Sequence, residues 1–189
     1  LKYEKFFGVQ TFQERLRMRP FALLYITLWG QLQVLFAHRL HLKKPIVKTK
    51  TFWGDEMKMI LPDRTLYFFG LLGRNELLLT DFIINNLKAG DTFIDAGANV
   101  GYYTLLASKI VKKAGQVHSY EPTPDLFKIL QENTLSKRNV FLNQQALSDK
   151  EDVIPFTDFG LEYSGYNSAL PPRKLLADGH LKEKLMRLG

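Results

Sequence analysis

Residues 91–101 read DTFIDAGANVG, a short apolar strand followed by a glycine-containing turn that opens a helix. Gly97 permits a tight turn, and Gly101 permits close approach of the backbone to a ligand. Asn99 stands where many such loops have glycine, and asparagine tolerates a positive φ better than most residues do. These residues predict a strand–turn–helix unit with a ligand site at the turn.

The residues after this turn alternate between helix and strand patterns. A helical pattern covers residues 102–113, a strand covers Gln116–Tyr120, a second helix covers residues 125–137, and a third strand covers Val140–Gln145. Short links between such elements imply a parallel sheet with crossover connections. With Asp91–Asp95 as the first strand, the sequence predicts an α/β, Rossmann-like fold with an incomplete parallel sheet of strand order 3-2-1.

The residues before the turn have other patterns. Residues 46–70 contain β-branched and aromatic residues broken by turn formers, which predicts short antiparallel strands outside the parallel sheet. Residues 75–88 have helical apolar spacing, with Gly90 as the C-cap glycine. In the uncharged run 21–37, apolar residues recur at helical spacing opposite polar ones, which predicts an amphipathic helix that docks onto the domain or lies on a membrane. The run falls short of the ~20 residues that span a bilayer. We therefore divide the chain into a helical segment (1–45), an antiparallel segment with a helix (46–90) and half of a ligand-binding domain (91–189).

The composition is that of a globular protein without cysteine. The chain has 189 residues, of which 46% are hydrophobic and 24% charged, and this excludes a disordered chain, a collagen and a coiled coil. The formal net charge is +7, and residues 1–90 hold 14 basic and 7 acidic residues. A basic front half is compatible with an anionic membrane or nucleic acid as partner, but a solvated basic surface is the favoured explanation, since +7 is ordinary for a soluble protein. The tight Lys/Arg cluster with interleaved aromatics that is typical of nucleic-acid binding is missing from the sequence.

Two carboxylates suggest which ligand the turn binds. Glu121, twenty residues beyond Gly101 and at the end of the second strand, can accept hydrogen bonds from both hydroxyls of a ribose. Asp95 ends the first strand, where its charge would repel the pyrophosphate of a dinucleotide, and the turn has G-x-x-x-G spacing instead of G-x-G-x-x-G. S-adenosylmethionine has a cationic ammonium, a sulfonium and no phosphate, so charge favours it over NAD. In the plainer interpretation, Asp95 is a helix cap and Glu121 a solvated strand end.

Several strings of this sequence resemble one enzyme family. GDTFIDAGANVGYYT (90–104), SYEPTPDLFKILQEN (119–133) and NQQALSD (143–149) are similar to the FkbM-type S-adenosylmethionine-dependent methyltransferases, and the resemblance covers about residues 50–170. It implies the class I methyltransferase fold, S-adenosylmethionine as cofactor, and O-methylation of a hydroxyl on a sugar, glycan or secondary metabolite.

The resemblance also implies the residues that bind the cofactor. The family's first cofactor motif is matched by Asp95, Gly97, Ala98, Asn99 and Gly101. Its ribose-binding acid is matched by Glu121. The adenine contact at the end of the third strand is matched by Gln145, Ala146 and Leu147. Tyr102, which begins the helix beside the turn, is a further pocket-lining candidate. The four histidines form no cluster, so neither a metal site nor a catalytic base is assigned.

The sequence departs from the family after residue 156. A complete member continues through a fourth strand with an acidic motif similar to D-V-E-G, which residues 156–189 do not contain, and residues 171–189 read as a turn plus a helix. We therefore expect a fragment that lacks its C-terminal half and is inactive by itself.

Two alternative functions stay open on the sequence. The basic front half is compatible with a nucleic-acid methyltransferase, or with a non-catalytic membrane-associated module that keeps a vestigial cofactor pocket. We expect a cytoplasmic protein with peripheral membrane contact through residues 15–44; nucleic acid is the less favoured partner, and the sequence does not fix the oligomeric state.

Overall fold

The computed structural model describes residues 46–60, 76–151, 153–158 and 182–187. The chain divides into two compact units, residues 1–86 and residues 87–189. Its described elements are β1 (Ile46–Lys50), β2 (Glu56–Ile60), α1 (Leu77–Asn86), β3 (Thr92–Ala96), α2 (Tyr102–Val111), β4 (Gln116–Tyr120), α3 (Pro124–Thr134), β5 (Val140–Asn143), β6 (Val153–Asp158) and β7 (Lys182–Arg187). The three-segment division at residues 45 and 90 stays a prediction.

In the first unit, β1 and β2 form an antiparallel hairpin, with Ile46 opposite Ile60. The turn between them is closed by Thr51, whose backbone N–H and hydroxyl both donate to the Asp55 carbonyl, at 2.9 and 3.0 Å. Gly54 takes a φ of 96° there, which favours glycine. The antiparallel strands expected from residue 46 are therefore present as far as residue 60, and residues 61–70 lie outside the described part.

The second unit contains a three-stranded parallel sheet in the order β3-β4-β5. Ile94 is paired with His118, and His118 with Phe141, so the strands run in the same direction and their carboxyl ends share one edge. Both connections between these strands are helices, α2 and α3. This is the α/β, Rossmann-like arrangement with strand order 3-2-1 that the sequence predicts.

Both helices cover the same face of this sheet. Ala107 and Val111 of α2 pack with Val117 of β4, and all three side chains are fully buried. Phe127 and Leu130 of α3 pack with Ala98, and Leu142 of β5 lies against this group. Burial of these apolar side chains is the main stabilisation of the unit, at roughly 1.5–3 kcal/mol for each large side chain.

Some element ends differ from the sequence prediction by one to several residues. The first strand is Thr92–Ala96 instead of Asp91–Asp95, and the third strand stops at Asn143, so that Gln145 follows the strand. Gly90 is not a C-cap, because α1 ends at Asn86 and the Gly90 N–H donates to the Val111 carbonyl at 2.9 Å.

The prediction of a turn plus a helix for residues 171–189 is wrong for residues 182–187. Lys182–Arg187 forms β7, which pairs antiparallel with β6, so that Val153 lies opposite Arg187. Leu, Lys, Glu, Met and Arg favour helices when they are isolated, and here the ladder to a partner strand overrides that preference.

No helix in the described ranges is long and apolar enough to cross a bilayer. The amphipathic helix expected at residues 21–37, and the membrane contact expected for residues 15–44, lie outside the described residues.

Candidate functional site

The turn after β3 is held in an unusual backbone conformation. Gly97, Asn99 and Gly101 all have positive φ, at 80°, 52° and 96°. The backbone N–H groups of Gly97 and Ala98 both donate to the carbonyl of Tyr120 at 2.9 Å, which ties the turn to the end of β4. The turn is therefore fixed at the carboxyl edge of the sheet, where open α/β sheets bind ligands.

Gly101 is required for packing as well as for its φ. A Cβ at this position would lie 2.6 Å from Leu130 Cδ1, so that α2 begins directly against α3. Asn133 of α3 donates from Nδ2 to the Val100 carbonyl at 2.7 Å. The end of the turn is thus fixed by the neighbouring helix.

Glu121 lies at the end of β4 and contacts the turn through its carboxylate. Its Oε2 accepts the Asn99 N–H and its Oε1 accepts the Thr123 N–H, both at 2.8 Å. The side chain is 4% exposed. Burial raises the pKa of the Glu121 carboxyl, the hydrogen bonds from Thr123 and Asn99 lower it, and the negative charge of Asp95 raises it. Glu121 is therefore not the solvated strand end of the plainer interpretation.

Asp95 is buried between β3, α2 and β4. Its Oδ2 accepts the hydroxyl of Thr104 at 2.5 Å, and the Thr104 hydroxyl lies 2.8 Å from that of Ser119. Burial raises the pKa of the Asp95 carboxyl, whereas the hydrogen bonds from Thr104 lower it. A carboxylate at the N-terminus of α2 is also favoured by the helix dipole, and Gly101, the N-cap residue, has no side chain to cap the helix.

The remaining site candidates lie on the same edge of the sheet with fewer recorded contacts. Tyr102 is 4% exposed, and its ring meets that of Tyr103 edge-on at 5.0 Å. Gln145 and Ala146 are half-buried just after β5, and Leu147 is 44% exposed. Tyr102 therefore packs at the start of α2. Residues 145–147 lie just after the third strand, whereas the sequence predicts Gln145 as the last residue of that strand.

Sequence reasoning missed the side chains that support the site. Thr104, Ser119 and Asn133 are buried and lie on three different elements. Thr104 contacts the Asp95 carboxylate, Ser119 contacts the Thr104 hydroxyl, and Asn133 contacts the turn. Thr104 lies on the inward face of a helix and Ser119 on the inward face of a strand, and a buried hydroxyl needs a hydrogen-bond partner. A polar residue within an otherwise apolar face was the signal that could have identified them.

Thr123 is the N-cap residue of α3 and Pro124 follows it, but the Thr123 hydroxyl makes no capping hydrogen bond. This hydroxyl acts on the Glu121 carboxyl and lowers its pKa.

Within the described ranges, no group of three or more His, Asp or Glu side chains is close enough together to hold a metal ion. His118 is stacked on Phe141 with ring centroids 5.0 Å apart, and its Nε2 lies 3.2 Å from Gln116 Oε1.

The site combines two negative charges with backbone groups in a rigid turn. The Asp95 and Glu121 carboxylates interact electrostatically, and each is costly to ionise where it is buried. A bound cation would offset this cost, whereas a phosphate would add to it. The residues present therefore fit S-adenosylmethionine, which offers an ammonium, a sulfonium and ribose hydroxyls.

The chain matches no protein-family model, and no curated protein matches it. It is similar to a putative rRNA methylase from Clostridium thermocellum, with 23% identity over 39% of this chain and 41% of that chain and a TM-score of 0.36. It is also similar to an S-adenosylmethionine-dependent O-methyltransferase from Thermotoga maritima, with 21% identity over 57% and 44% and a TM-score of 0.36.

The chain is also similar to a third solved structure, fibrillarin from Aeropyrum pernix with natively bound S-adenosyl-L-methionine. It is 25% identical over 36% of this chain and 30% of that chain, with a TM-score of 0.33. The chain thus spans less than half the length of each of these three structures.

Proposed function

We propose that this protein is a methyltransferase and that the unit of residues 87–189 binds S-adenosylmethionine. The observation that carries the proposal is the pair of buried carboxylates, Asp95 and Glu121, at neighbouring strand ends beside a turn of three positive-φ residues. A glycine turn occurs in many nucleotide-binding sites. Two carboxylates at the same edge of the sheet favour a ligand that places hydroxyl groups and positive charge beside them.

We assign the roles of the residues from their positions and, for the adenine contact, from the resemblance to the FkbM-type enzymes. Glu121 accepts hydrogen bonds from the ribose hydroxyls through the lone pairs that its backbone donors leave free, and Asp95 attracts the cationic amino-acid end. The turn 97–101 and Tyr102 shape the pocket, and Gln145, Ala146 and Leu147 contact the adenine. When bound, S-adenosylmethionine supplies a methyl group on a cationic sulfur. The acceptor must be held in line with that methyl group and must lose its proton to a base.

The acceptor in this proposal is a hydroxyl oxygen on a sugar, a glycan or a secondary metabolite. The support is the resemblance of residues 90–104 and 119–133 to the FkbM-type enzymes. Residues 1–90 have a net positive charge, which is compatible with an RNA acceptor. The acceptor test therefore includes RNA.

Calorimetry with the purified chain tests the cofactor. S-adenosylmethionine should bind, and Glu121→Ala should weaken it by roughly 1–3 kcal/mol because hydrogen bonds to a charged acceptor are lost. Asp95→Asn should weaken binding too, and NAD should not compete. Asp91→Asn is the matched control, since Asp91 precedes the same strand at its other end and its Oδ2 accepts only the Lys88 N–H among the recorded bonds. Tighter binding of NAD than of S-adenosylmethionine would contradict the cofactor assignment.

Transfer of a radioactive methyl group tests the acceptor. Because residues 1–189 are expected to be inactive by themselves, the assay uses the protein as its source organism produces it. This protein is supplied with labelled S-adenosylmethionine and with either a panel of glycans and hydroxylated small molecules or total RNA. Label in the first set, lost with Glu121→Ala, supports the hydroxyl acceptor. Label in RNA alone overturns it.

A further inference from the structure

We infer that Glu121 has a structural role before any ligand arrives: its ionised carboxylate locks the ligand-binding turn by joining Asn99 to the loop after β4. The inference deepens the proposed function, on which it rests for the identity of the ligand. In this inference, the Glu121 side chain has two roles: it contacts the ribose, and it stabilises the conformation of the turn.

The carboxylate uses one oxygen for each loop. Oε2 accepts the N–H of Asn99, which lies 22 residues earlier in the chain, and Oε1 accepts the N–H of Thr123, two residues later, both at 2.8 Å. A carboxylate is an acceptor at both oxygens, so it satisfies two converging N–H donors at once. Hydrogen bonds to an ionised acceptor are roughly twice as strong as neutral ones.

The conformation of the turn at Asn99 is one that a contact with Glu121 stabilises. Asn99 has a φ of 52° without being glycine, and this region is disfavoured for L-residues, although less for asparagine than for most. A conformation of that kind persists only where the surroundings over-determine it. The Asn99 side chain contributes locally, because its Oδ1 accepts the Val100 N–H at 2.8 Å. Glu121 contributes the contact from outside the turn.

The two flanks of the turn are held by other groups. The Tyr120 carbonyl accepts the N–H groups of Gly97 and Ala98, and Asn133 binds the Val100 carbonyl. Asn99 lies between these two attachments, and the recorded bond from its backbone N–H goes to Glu121. Loss of that bond therefore removes a contact at the centre of the turn while both flanks stay attached.

Protonation should undo the lock. Asp95 from β3 is the charged group that acts on Glu121 in the described part of the chain, and its repulsion adds to burial in raising the pKa of Glu121. From the other side, the carboxyl meets the Thr123 N–H and hydroxyl and the Asn99 N–H. A protonated Glu121 carries a hydroxyl donor on one of its two oxygens, and in Glu121→Gln an NH2 group with two N–H donors replaces one oxygen. In either case, one of the two backbone N–H groups loses its ionised acceptor.

Nuclear magnetic resonance of the ligand-free chain tests the inference. In a pH titration, the amide proton shifts of Asn99 and Thr123 should move together, with one midpoint above the ordinary pKa of glutamate. In Glu121→Gln, that shared transition should vanish, and the exchange rate of one of these two amides should rise about tenfold at constant pH. Asp125→Asn, at an exposed acid in the first turn of α3, is the control and should change neither readout.

Independent titration of the two amides, or an unchanged exchange rate of both in Glu121→Gln, overturns the inference. If Glu121→Gln fails to fold, the wild-type titration decides by itself. Because ligand is absent throughout, failure of this experiment leaves the proposed function standing, and failure of cofactor binding leaves the lock standing.

Discussion

The hydrogen bonds around Asp95 have a defined direction. The Thr104 hydroxyl has one proton, which it donates to Asp95 Oδ2 at 2.5 Å, so it must accept the proton of the Ser119 hydroxyl at 2.8 Å. Ser119, Thr104 and Asp95 form a chain in which every hydroxyl points toward the carboxylate. Such a chain polarises its members and stabilises the negative charge at its end.

Asp95 should make stability fall as pH rises. Burial raises the pKa of Asp95 in the folded state, so the native chain binds the proton more tightly than the unfolded chain does. The free energy of unfolding should therefore decrease as pH rises from the ordinary carboxyl range through the raised pKa. In Asp95→Asn, whose amide oxygen still accepts from Thr104, this decrease should be smaller and neutral-pH stability should be higher.

Urea unfolding of the two proteins between about pH 4 and pH 8 measures this difference, since the ordinary pKa of aspartate is about 3.9. Identical pH slopes for wild type and Asp95→Asn would contradict the prediction. Weaker cofactor binding combined with higher stability would show that Asp95 is kept for the ligand and not for the fold.

At the level of elements, Asn139 closes the C-terminal end of α2. Its Nδ2 donates to the carbonyls of Ser108 and Lys112 at 3.0 and 2.8 Å, and its Oδ1 accepts the Ser108 hydroxyl at 2.7 Å. These carbonyls belong to the last turn of a helix, where partners within the helix are missing. A residue just before β5 therefore acts as the cap of a helix 31 residues earlier in the chain.

Asn139→Ala should lower the free energy of unfolding by about 1–2 kcal/mol, because two carbonyls and a hydroxyl lose a half-buried partner. Asn139→Asp should cost more, since it loses both donors and places a negative charge at the negative end of the helix dipole. Urea unfolding of the two variants gives the order. A smaller loss for the aspartate variant would mean that the packing of Asn139, and not its hydrogen bonds, holds the helix end.

The parallel sheet was predictable because its elements are each specified locally. Apolar runs of strand length alternate with helical spacing, and turn residues separate them, so the order of strands followed from short connections. β7 was not predictable, because Lys182–Arg187 has helix-favouring residues and becomes a strand through pairing with β6. The supporting residues of the site were missed for the same reason: Thr104 meets Asp95 and Ser119 only when three elements pack together.

At the level of the whole molecule, the two faces of the parallel sheet differ. The face that carries Val117 and Ser119 lies under α2 and α3 and is fully buried at both positions. On the opposite face, Ile94, His118 and Phe141 lie side by side across the three strands. Ile94 is 60% exposed and Phe141 45% exposed. Exposed apolar groups that form a row favour association more than scattered ones do.

The purified chain should therefore associate through this row. The double variant Ile94→Thr, Phe141→Thr should lower the concentration-dependent increase in mass measured by analytical ultracentrifugation, because it removes two apolar side chains from one surface. Leu135→Thr is the control, since Leu135 is 89% exposed but stands at the end of α3, away from the row. Equal association of the double variant and the wild type would contradict the prediction.

The contacts that fix the ligand-binding turn join residues at most 33 positions apart in the sequence. This small separation affects folding during synthesis. The bonds joining Asp95 to Thr104, Thr104 to Ser119, Asn99 to Glu121 and Val100 to Asn133 span 9, 15, 22 and 33 residues. Loops of such lengths close quickly and at small entropic cost. On the ribosome, the turn can therefore reach its final shape as soon as α3 has left the exit tunnel, while the residues that follow α3 are still inside the tunnel.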